Sequence, residues 1–244
     1  MPDLEHPRSI RSFVTRAGRI TPAQQRALEE LWPRYGVAPA PGEDPGASAS
    51  TAPLELAALF GREAPRTLEI GFGNGENLAA LAGAHPERDF LGVEVHRPGI
   101  GRVLRTLEER GLGNVRLLCQ DAVELLGGRI APGSLHEILI LFPDPWPKKR
   151  HHKRRLVQAG FVASAARALE PGGALRLATD WQPYADAMLT VLNAAEGLAN
   201  LAPDGGFVPR PAERLPTRFE LRGTRLGHRV WDLGFRRQPP GPNA

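Results

Sequence analysis

The sequence predicts an α/β fold in which a mostly parallel, seven-stranded sheet ends in an antiparallel hairpin. From about Leu54, short apolar runs alternate with helical patterns, and the first three runs lie roughly 25 residues apart, as βαβ crossovers require. After Gly205-Gly206 the pattern becomes strand-like, which favours an antiparallel addition to a parallel sheet. At 244 residues, we expect one such domain with a decorated terminus.

The chain before this alternation is predicted to contain a helix and a linker. Thr21 suits an N-cap with Pro22 at the first helical position, and the helix is expected to end near Pro33. Pro, Gly, Ala and Ser dominate residues 38–53, a composition typical of a flexible linker. We therefore divide the chain into an N-terminal extension (1–37), the linker (38–53), a main domain (54–237) and a disordered tail (238–244).

Five runs of the main domain have the composition of buried strands. They are 66–70, 90–95, 115–119, 137–141 and 174–178. Helical patterns fall between them, notably at 97–110, 153–169 and 181–195. The terminal hairpin is predicted from 218–221 and 230–235, joined through Gly223 and Gly227.

The charge of the chain is local. The formal net charge is +4, but six of the eight residues 148–155 are Lys or Arg, so the remainder is slightly acidic. The only lysines, Lys148, Lys149 and Lys153, all lie in this run. This distribution indicates a binding patch rather than a generally basic surface.

Several classes of protein are disfavoured by composition. Cys119 is the only cysteine, which excludes an internal disulfide and argues against a thiolate metal site. No run approaches the length of a membrane span, and the N-terminus has no apolar signal region. We expect a cytoplasmic monomer or homodimer with neither a metal nor a membrane partner.

A glycine-rich loop follows the first strand. Gly71, Gly73 and Gly75 allow a tight turn and a close approach of backbone to a ligand. A dinucleotide fingerprint would need glycine at position 76, but Glu76 stands there and would repel a pyrophosphate. With Glu69 just before it, this acidic loop suits a ligand with a cationic end, such as S-adenosylmethionine.

Further carboxylates follow the next strands. Glu94 can accept both ribose hydroxyls of an adenosine, and Asp121 can meet an adenine amino group. Together with Glu69 and Asp144, they lie at or near the carboxyl ends of four successive strands, the edge at which open α/β sheets bind ligands.

The fourth strand runs into a proline-rich turn. Pro143, Pro145 and Pro147 fix φ and keep the preceding residues out of the α region, so we expect Asp144 and Trp146 on a stiff, extended turn. A carboxylate, an aromatic face and the cationic run behind them suggest a site for a base and its phosphates. Trp146 has two interpretations, a face that stacks on a base or an ordinary wall of the turn.

These motifs resemble the bacterial tRNA (guanine-N7)-methyltransferases, class I S-adenosylmethionine-dependent enzymes with a Rossmann-like fold. The resemblance covers 8–237 except the linker, and it is carried by residues 11–14, 18–19, 68–75, 92–96, 142–155, 179–180, 217–220, 222–223 and 226–228. It implies methyl transfer to N7 of a guanine in tRNA, in the variable loop.

The resemblance also assigns roles to residues. It implies that Glu69, Glu94, Asp121 and Asp144 bind the cofactor and that Asp144 is the catalytic residue. The implied substrate-binding residues are Lys148, Asp180, Thr217, Arg218, Phe219 and Glu220, and the implied RNA contacts are Arg150, His151, His152, Lys153, Arg154 and Arg155. His152 replaces the usual Asn and Arg218 the usual Lys, so the detail of substrate contact is open.

Two alternatives remain at this point. An amino-methyltransferase acting on adenine or cytosine of RNA would also place an acidic or amide residue before Pro-Pro-aromatic, but here Pro143 precedes Asp144 and the second proline is misplaced. A non-catalytic RNA-binding protein could keep the fold, although the acidic glycine loop argues against it.

Overall fold

A seven-stranded sheet forms the centre of the protein in its computed structural model. The described residues are 11–13, 19–37, 52–215, 217, 220 and 229–239. The strands are β1 (Arg66–Ile70), β2 (Asp89–Val93), β3 (Val115–Leu118), β4 (Leu135–Leu141), β5 (Leu169–Thr179), β6 (Leu198–Asn200) and β7 (Trp231–Arg237). Their order is β3-β2-β1-β4-β5-β7-β6. Strands β1 to β5 pair in parallel and β7 pairs antiparallel with β5 and β6, which confirms the predicted fold class.

Helices cover both faces of the sheet. They are α1 (Pro22–Tyr35), α2 (Leu56–Phe60), α3 (Glu76–Ala84), α4 (Arg97–Glu109), α5 (Ala122–Glu124, continued by a π-helical turn Leu125–Arg129), α6 (Ala159–Ala168) and α7 (Gln182–Asn193). Side chains of α1, α3 and α4 share one buried cluster, and those of α6 and α7 share another with the π-helical turn. Consecutive residues of β2 enter opposite clusters, Phe90 the first and Leu91 the second, as the alternation of a strand requires.

Helix α1 begins as predicted but ends later. Thr21 caps the helix: its hydroxyl oxygen accepts from the Gln24 backbone N–H, and the Gln24 side-chain oxygen accepts from the Thr21 backbone N–H. The helix continues past Pro33 to Tyr35, because Pro33 is exposed while Trp32 and Tyr35 are buried against the protein. The packing of the last turn therefore offsets the missing N–H of the proline.

The helix predicted over 153–169 is broken in two. Lys149–Arg154 form a 3-10 helix, and α6 begins only at Ala159. The Gln158 side chain donates to the carbonyls of Lys153 and Arg155, at 2.9 and 2.8 Å, and so satisfies groups that a continuous helix would have paired.

The antiparallel partner of β7 differs from the predicted one. Strand β7 pairs with β5 along one edge and with the short strand β6 along the other, so neither edge is left for the predicted partner. Strand β6 was not predicted from the sequence. Most of the predicted strand at 218–221 lies outside the described residues, as do 38–51 of the predicted linker and 240–244 of the predicted tail. Within the part of the chain that is described, no helix is long and apolar enough to cross a membrane.

Candidate functional site

Strand order brings the predicted carboxylates to one edge of the sheet. Because β1 to β5 are parallel and ordered β3-β2-β1-β4-β5, the residues at or after their carboxyl ends follow the same order. Along the edge these are Asp121, Glu94, Glu69, Asp144 and Asp180. The order in which strands are added reverses at β1, since β2 and β3 lie on one side of it and β4 and β5 on the other, and such a switch point is where open α/β sheets form a crevice for ligands.

The glycine loop requires its glycines. Gly71, Gly73 and Gly75 have φ of 71°, 58° and 74°, a region that other residues rarely adopt. A Cβ at Gly75 would lie 2.1 Å from Cγ2 of Val103, whereas a Cβ at Gly71 or Gly73 would meet nothing within 4 Å. Gly99 was not predicted, but a Cβ there would lie 2.1 Å from the Gly73 carbonyl oxygen. The loop is thus pressed against α4 on one side and open on the other.

Glu69 is buried without a cationic partner in the described structure. It is 3% exposed, and its Oε2 accepts a hydrogen bond from Asn77 Nδ2 at 3.0 Å. Burial raises the pKa of Glu69 to about 7, with a smaller rise from the charge of Glu94 and an opposing effect of the Asn77 bond. Asn77 was not predicted, although it is a polar residue among the apolar positions of α3.

Glu94 organises the backbone around it. Its Oε2 accepts from the Gly73 N–H at 2.9 Å, and its Oε1 accepts from the N–H groups of Val95 and His96 at 2.7 and 3.0 Å. This half-buried carboxylate therefore joins the glycine loop to the start of α4.

Asp121 caps α5. One of its oxygens accepts from the Val123 N–H at 2.8 Å. Burial raises the pKa of Asp121, against the effects of the Val123 bond and of the Arg11 charge.

The proline turn is strained rather than uniformly extended. Phe142 and Trp146 have φ of 54° and 43°, so the prediction of an extended conformation at Trp146 is wrong. Each precedes a proline, which excludes the right-handed α region but not the left-handed one. The Phe142 N–H donates to the Ala178 carbonyl at 2.8 Å and continues the β4–β5 ladder into the turn that presents the exposed Asp144. Non-glycine residues in this conformation persist where surrounding contacts hold them.

Trp146 is held by contacts from two directions. Its indole Nε1–H donates to the Ser12 carbonyl at 3.1 Å, and its ring meets His151 edge-on, with 5.8 Å between centroids. The Arg154 guanidinium lies 5.1 Å from the ring centroid. These contacts favour the interpretation of Trp146 as a wall of the turn.

The cationic run is divided between exposed and buried side chains. Lys148, Lys149, Arg150, His152 and Lys153 are exposed, and His151 and Arg154 are half-buried. Arg155, by contrast, is buried and donates to the Pro145 carbonyl at 3.0 Å.

The segment near Glu220 forms a buried ionic cluster that the sequence did not reveal. Arg214, 7% exposed, bonds to both oxygens of Glu220, at 2.6 and 3.1 Å, and to both of Asp232, at 2.8 and 3.1 Å. Burial lowers the pKa of Arg214, but the bonds and charges of the two carboxylates outweigh it and raise that pKa. Thr217 accepts from the Glu220 N–H at 3.2 Å, while Arg218 and Phe219 lie outside the described residues.

A partly open pocket lies beside these groups and is lined in part by residues of α3. Asn77 and Leu139 line it on one side, and Arg214 and Asp232 on another. The described structure thus places open space between the Asn77–Glu69 pair and the ionic cluster.

Comparison with known proteins gives consistent matches over most of the chain. A family model described as a putative methyltransferase matches residues 63–233. A tRNA (guanine-N(7)-)-methyltransferase of Methylococcus capsulatus is 59% identical over 235 residues, covering 96% of this chain and 97% of the relative. A protein of the same name from Leifsonia xyli subsp. xyli is 57% identical, covering 94% and 96%.

A solved structure supports the fold alone. The 16S rRNA methyltransferase KamB matches with a TM-score of 0.54 at 18% identity, over 76% of this chain and 93% of that protein.

Proposed function

Because the chain belongs to the tRNA (guanine-N7-)-methyltransferase family, we propose that it transfers a methyl group from S-adenosylmethionine to N7 of a guanine in tRNA, in the variable loop. The observation that carries the proposal is the row of carboxylates at the carboxyl edge of the sheet, in register with an open glycine loop. We further propose a monomer or homodimer that acts in the cytoplasm, where tRNA is found.

The residues at this edge fit the proposed cofactor. When bound, S-adenosylmethionine supplies the methyl group as an electrophile on a positively charged sulfonium. Glu69 is a buried carboxylate whose raised pKa a nearby cation would lower again. Asn77 Oδ1 is buried without a hydrogen-bond partner in the described structure, so it is available to a donor. Glu94 and Asp121 would bind the ribose and the adenine, as the family resemblance implies.

The chemistry of guanine sets a modest task for the side chains. N7 carries a free lone pair, so no group on the chain has to remove a proton from it. The residues must instead position the base and stabilise the positive charge that develops on the purine. Asp144 is suited to that role, because it is an exposed carboxylate on a turn fixed at both ends. Asp180, directly after the neighbouring strand β5, can accept from the Watson–Crick edge.

The exposed cations beside the turn are suited to the tRNA backbone. Lys148, Lys149, Arg150 and Lys153 extend from the end of the turn through a 3-10 helix and face solvent. Lys and Arg on such a surface bind phosphates with little sequence preference and with a strong dependence on salt.

The direct test is to incubate unmodified tRNA with the protein and S-adenosylmethionine, digest it with nuclease and locate the added mass. We expect 7-methylguanosine in the variable loop, and a loss of about 100-fold or more in rate for Asp144→Ala with the fold intact. Glu109→Ala, which removes an exposed carboxylate from α4, serves as the matched control. A methyl group on adenine or cytosine would establish the amino-methyltransferase alternative. Absence of cofactor binding by calorimetry would favour the non-catalytic one.

A further inference from the structure

We propose that Arg155 is a positioning residue for the turn that carries Asp144, and not a contact for tRNA phosphates. The proposal rests on the proposed function in one respect, because it takes Asp144 as the residue to be positioned. It separates Arg155 from the run of cations that precedes it in the sequence.

The surroundings of Arg155 are those of a structural group. It is 8% exposed, whereas Lys149, Arg150 and Lys153 face solvent. Its Nε–H donates to the Pro145 carbonyl at 3.0 Å, and its guanidinium lies 4.8 Å from the centroid of the Tyr184 ring. Because the edge of the guanidinium donates to Pro145 and its face lies over Tyr184, little of its surface is left for a phosphate.

The proline-rich turn needs a hydrogen-bond donor from elsewhere in the chain. Three of its residues are prolines, so they have no N–H with which to close the turn by its own backbone bonds. The Pro145 carbonyl belongs to the peptide that joins Pro145 to Trp146, whose φ of 43° is a conformation that contacts must maintain. The Arg155 bond therefore fixes the peptide that begins one residue after Asp144.

Tyr184 gives Arg155 a rigid support. Its ring, on α7, is fully buried, and its hydroxyl accepts from the Val157 N–H at 3.2 Å. Burial raises the pKa of Tyr184 to about 12, so the hydroxyl stays protonated in the physiological range. The contacts run from α7 through the guanidinium to the turn, and they place Asp144 relative to the core of the domain.

Planarity makes this role specific for arginine. A lysine would keep the positive charge, which is sufficient for a phosphate, but it has no planar fork to lie over Tyr184 while it donates along its edge. Arg155→Lys therefore distinguishes a positioning role from a phosphate contact better than a variant that removes the charge.

The experiment compares Arg155→Lys and Arg155→Met with Lys153→Met, an exposed cation of the same segment. Four quantities are measured: turnover at saturating tRNA and cofactor, KM for tRNA, the slope of log tRNA affinity against log salt, and hydrogen exchange of 142–150. For both Arg155 variants we expect turnover to fall about 10- to 100-fold through misplacement of Asp144, with KM and the salt slope unchanged and faster exchange. Lys153→Met should instead reduce the salt slope by about 0.7–0.9.

Two outcomes would overturn the proposal. One is an Arg155→Lys variant with parental turnover and parental exchange, and the other is an Arg155→Met variant whose salt slope falls as in Lys153→Met. If Arg155→Met does not fold, the lysine variant decides by the same criteria. Hydrogen exchange and salt slope do not depend on methyl transfer, so a parent protein without activity would refute the proposed function while these two measurements still test Arg155.

Discussion

Replacement of Glu94 tests the cofactor end of the site, because this carboxylate already serves three backbone N–H groups. Glu94→Ala removes the acceptor from Gly73 and from Val95 and His96, together with any partner for the ribose. Glu94→Gln is more selective. Its amide oxygen can keep the two bonds of the Oε1 position, and its NH₂ group then faces the Gly73 N–H, donor against donor.

The number and kind of hydrogen bonds at Glu94 set the expected loss of cofactor affinity. Bonds to an ionised acceptor are worth about 1.5–3 kcal/mol each, but water can replace part of this at a half-buried position. We expect Glu94→Ala to lose about 1–3 kcal/mol of affinity for S-adenosylmethionine, roughly 5- to 150-fold in Kd. Glu94→Gln should lose less affinity than Glu94→Ala, because only the bond to the glycine loop is broken.

Isothermal calorimetry measures the affinities, and denaturant unfolding separates them from a general loss of stability. Glu109→Gln is the matched control, an exposed glutamate on α4 whose partner in the described structure is Arg105, at 3.3 Å. Parental affinity in Glu94→Ala would refute the ribose assignment. Equal losses in the two Glu94 variants would show that the Gly73 bond accounts for the whole effect and the ribose for none of it.

Two further predictions concern buried charge. The pKa of Glu69 is raised from 4.5 to about 7, so the folded state binds the extra proton and the free energy of unfolding falls as pH rises through this interval, then stays level. Denaturant titrations from pH 4.5 to 8 should show this fall in the parent and not in Glu69→Gln. The prediction is contradicted if the free energy of unfolding varies with pH in the same way in both proteins. Arg214→Met leaves Glu220 and Asp232 buried without their shared cation and should lower the free energy of unfolding by about 3–5 kcal/mol. Adding Asp232→Asn to the Arg214→Met variant should recover part of this loss. A loss below about 1 kcal/mol in Arg214→Met would show that the cluster is solvated.

The parallel half of the sheet could be predicted because each strand is marked by local chemistry. The first strand, at 66–70, was predicted to the residue, since a short segment with Leu68 and Ile70 in alternation is bounded by Pro65 and Gly71. The strand order itself was not predicted, but the crossover spacing indicated parallel strands, which place Glu69, Glu94 and Asp121 at one edge. These features depend on composition and spacing alone.

What could not be predicted depends on contacts between distant residues. Strand β6 is only Leu198–Asn200, too short for a periodic signal, and its place is set by β7. Arg155 belongs to the same run of cations as its exposed neighbours, and its burial is set by contacts with Tyr184 and with the Pro145 carbonyl. The Arg214 cluster joins residues 18 positions apart, and neither carboxylate is marked in the sequence as its partner.

The two halves of the edge fix their carboxylates by opposite means. On the proposed cofactor side, glycines free the backbone to adopt positive φ, and backbone N–H groups converge on Glu94. On the proposed substrate side, prolines remove backbone donors, and the turn is held by the side chains of Arg155 and Trp146. A side chain added in the glycine loop should therefore impair cofactor binding first. Loss of a side-chain donor around the turn should impair the placement of Asp144, while the cofactor half of the edge stays assembled, because the two halves are held by separate bonds.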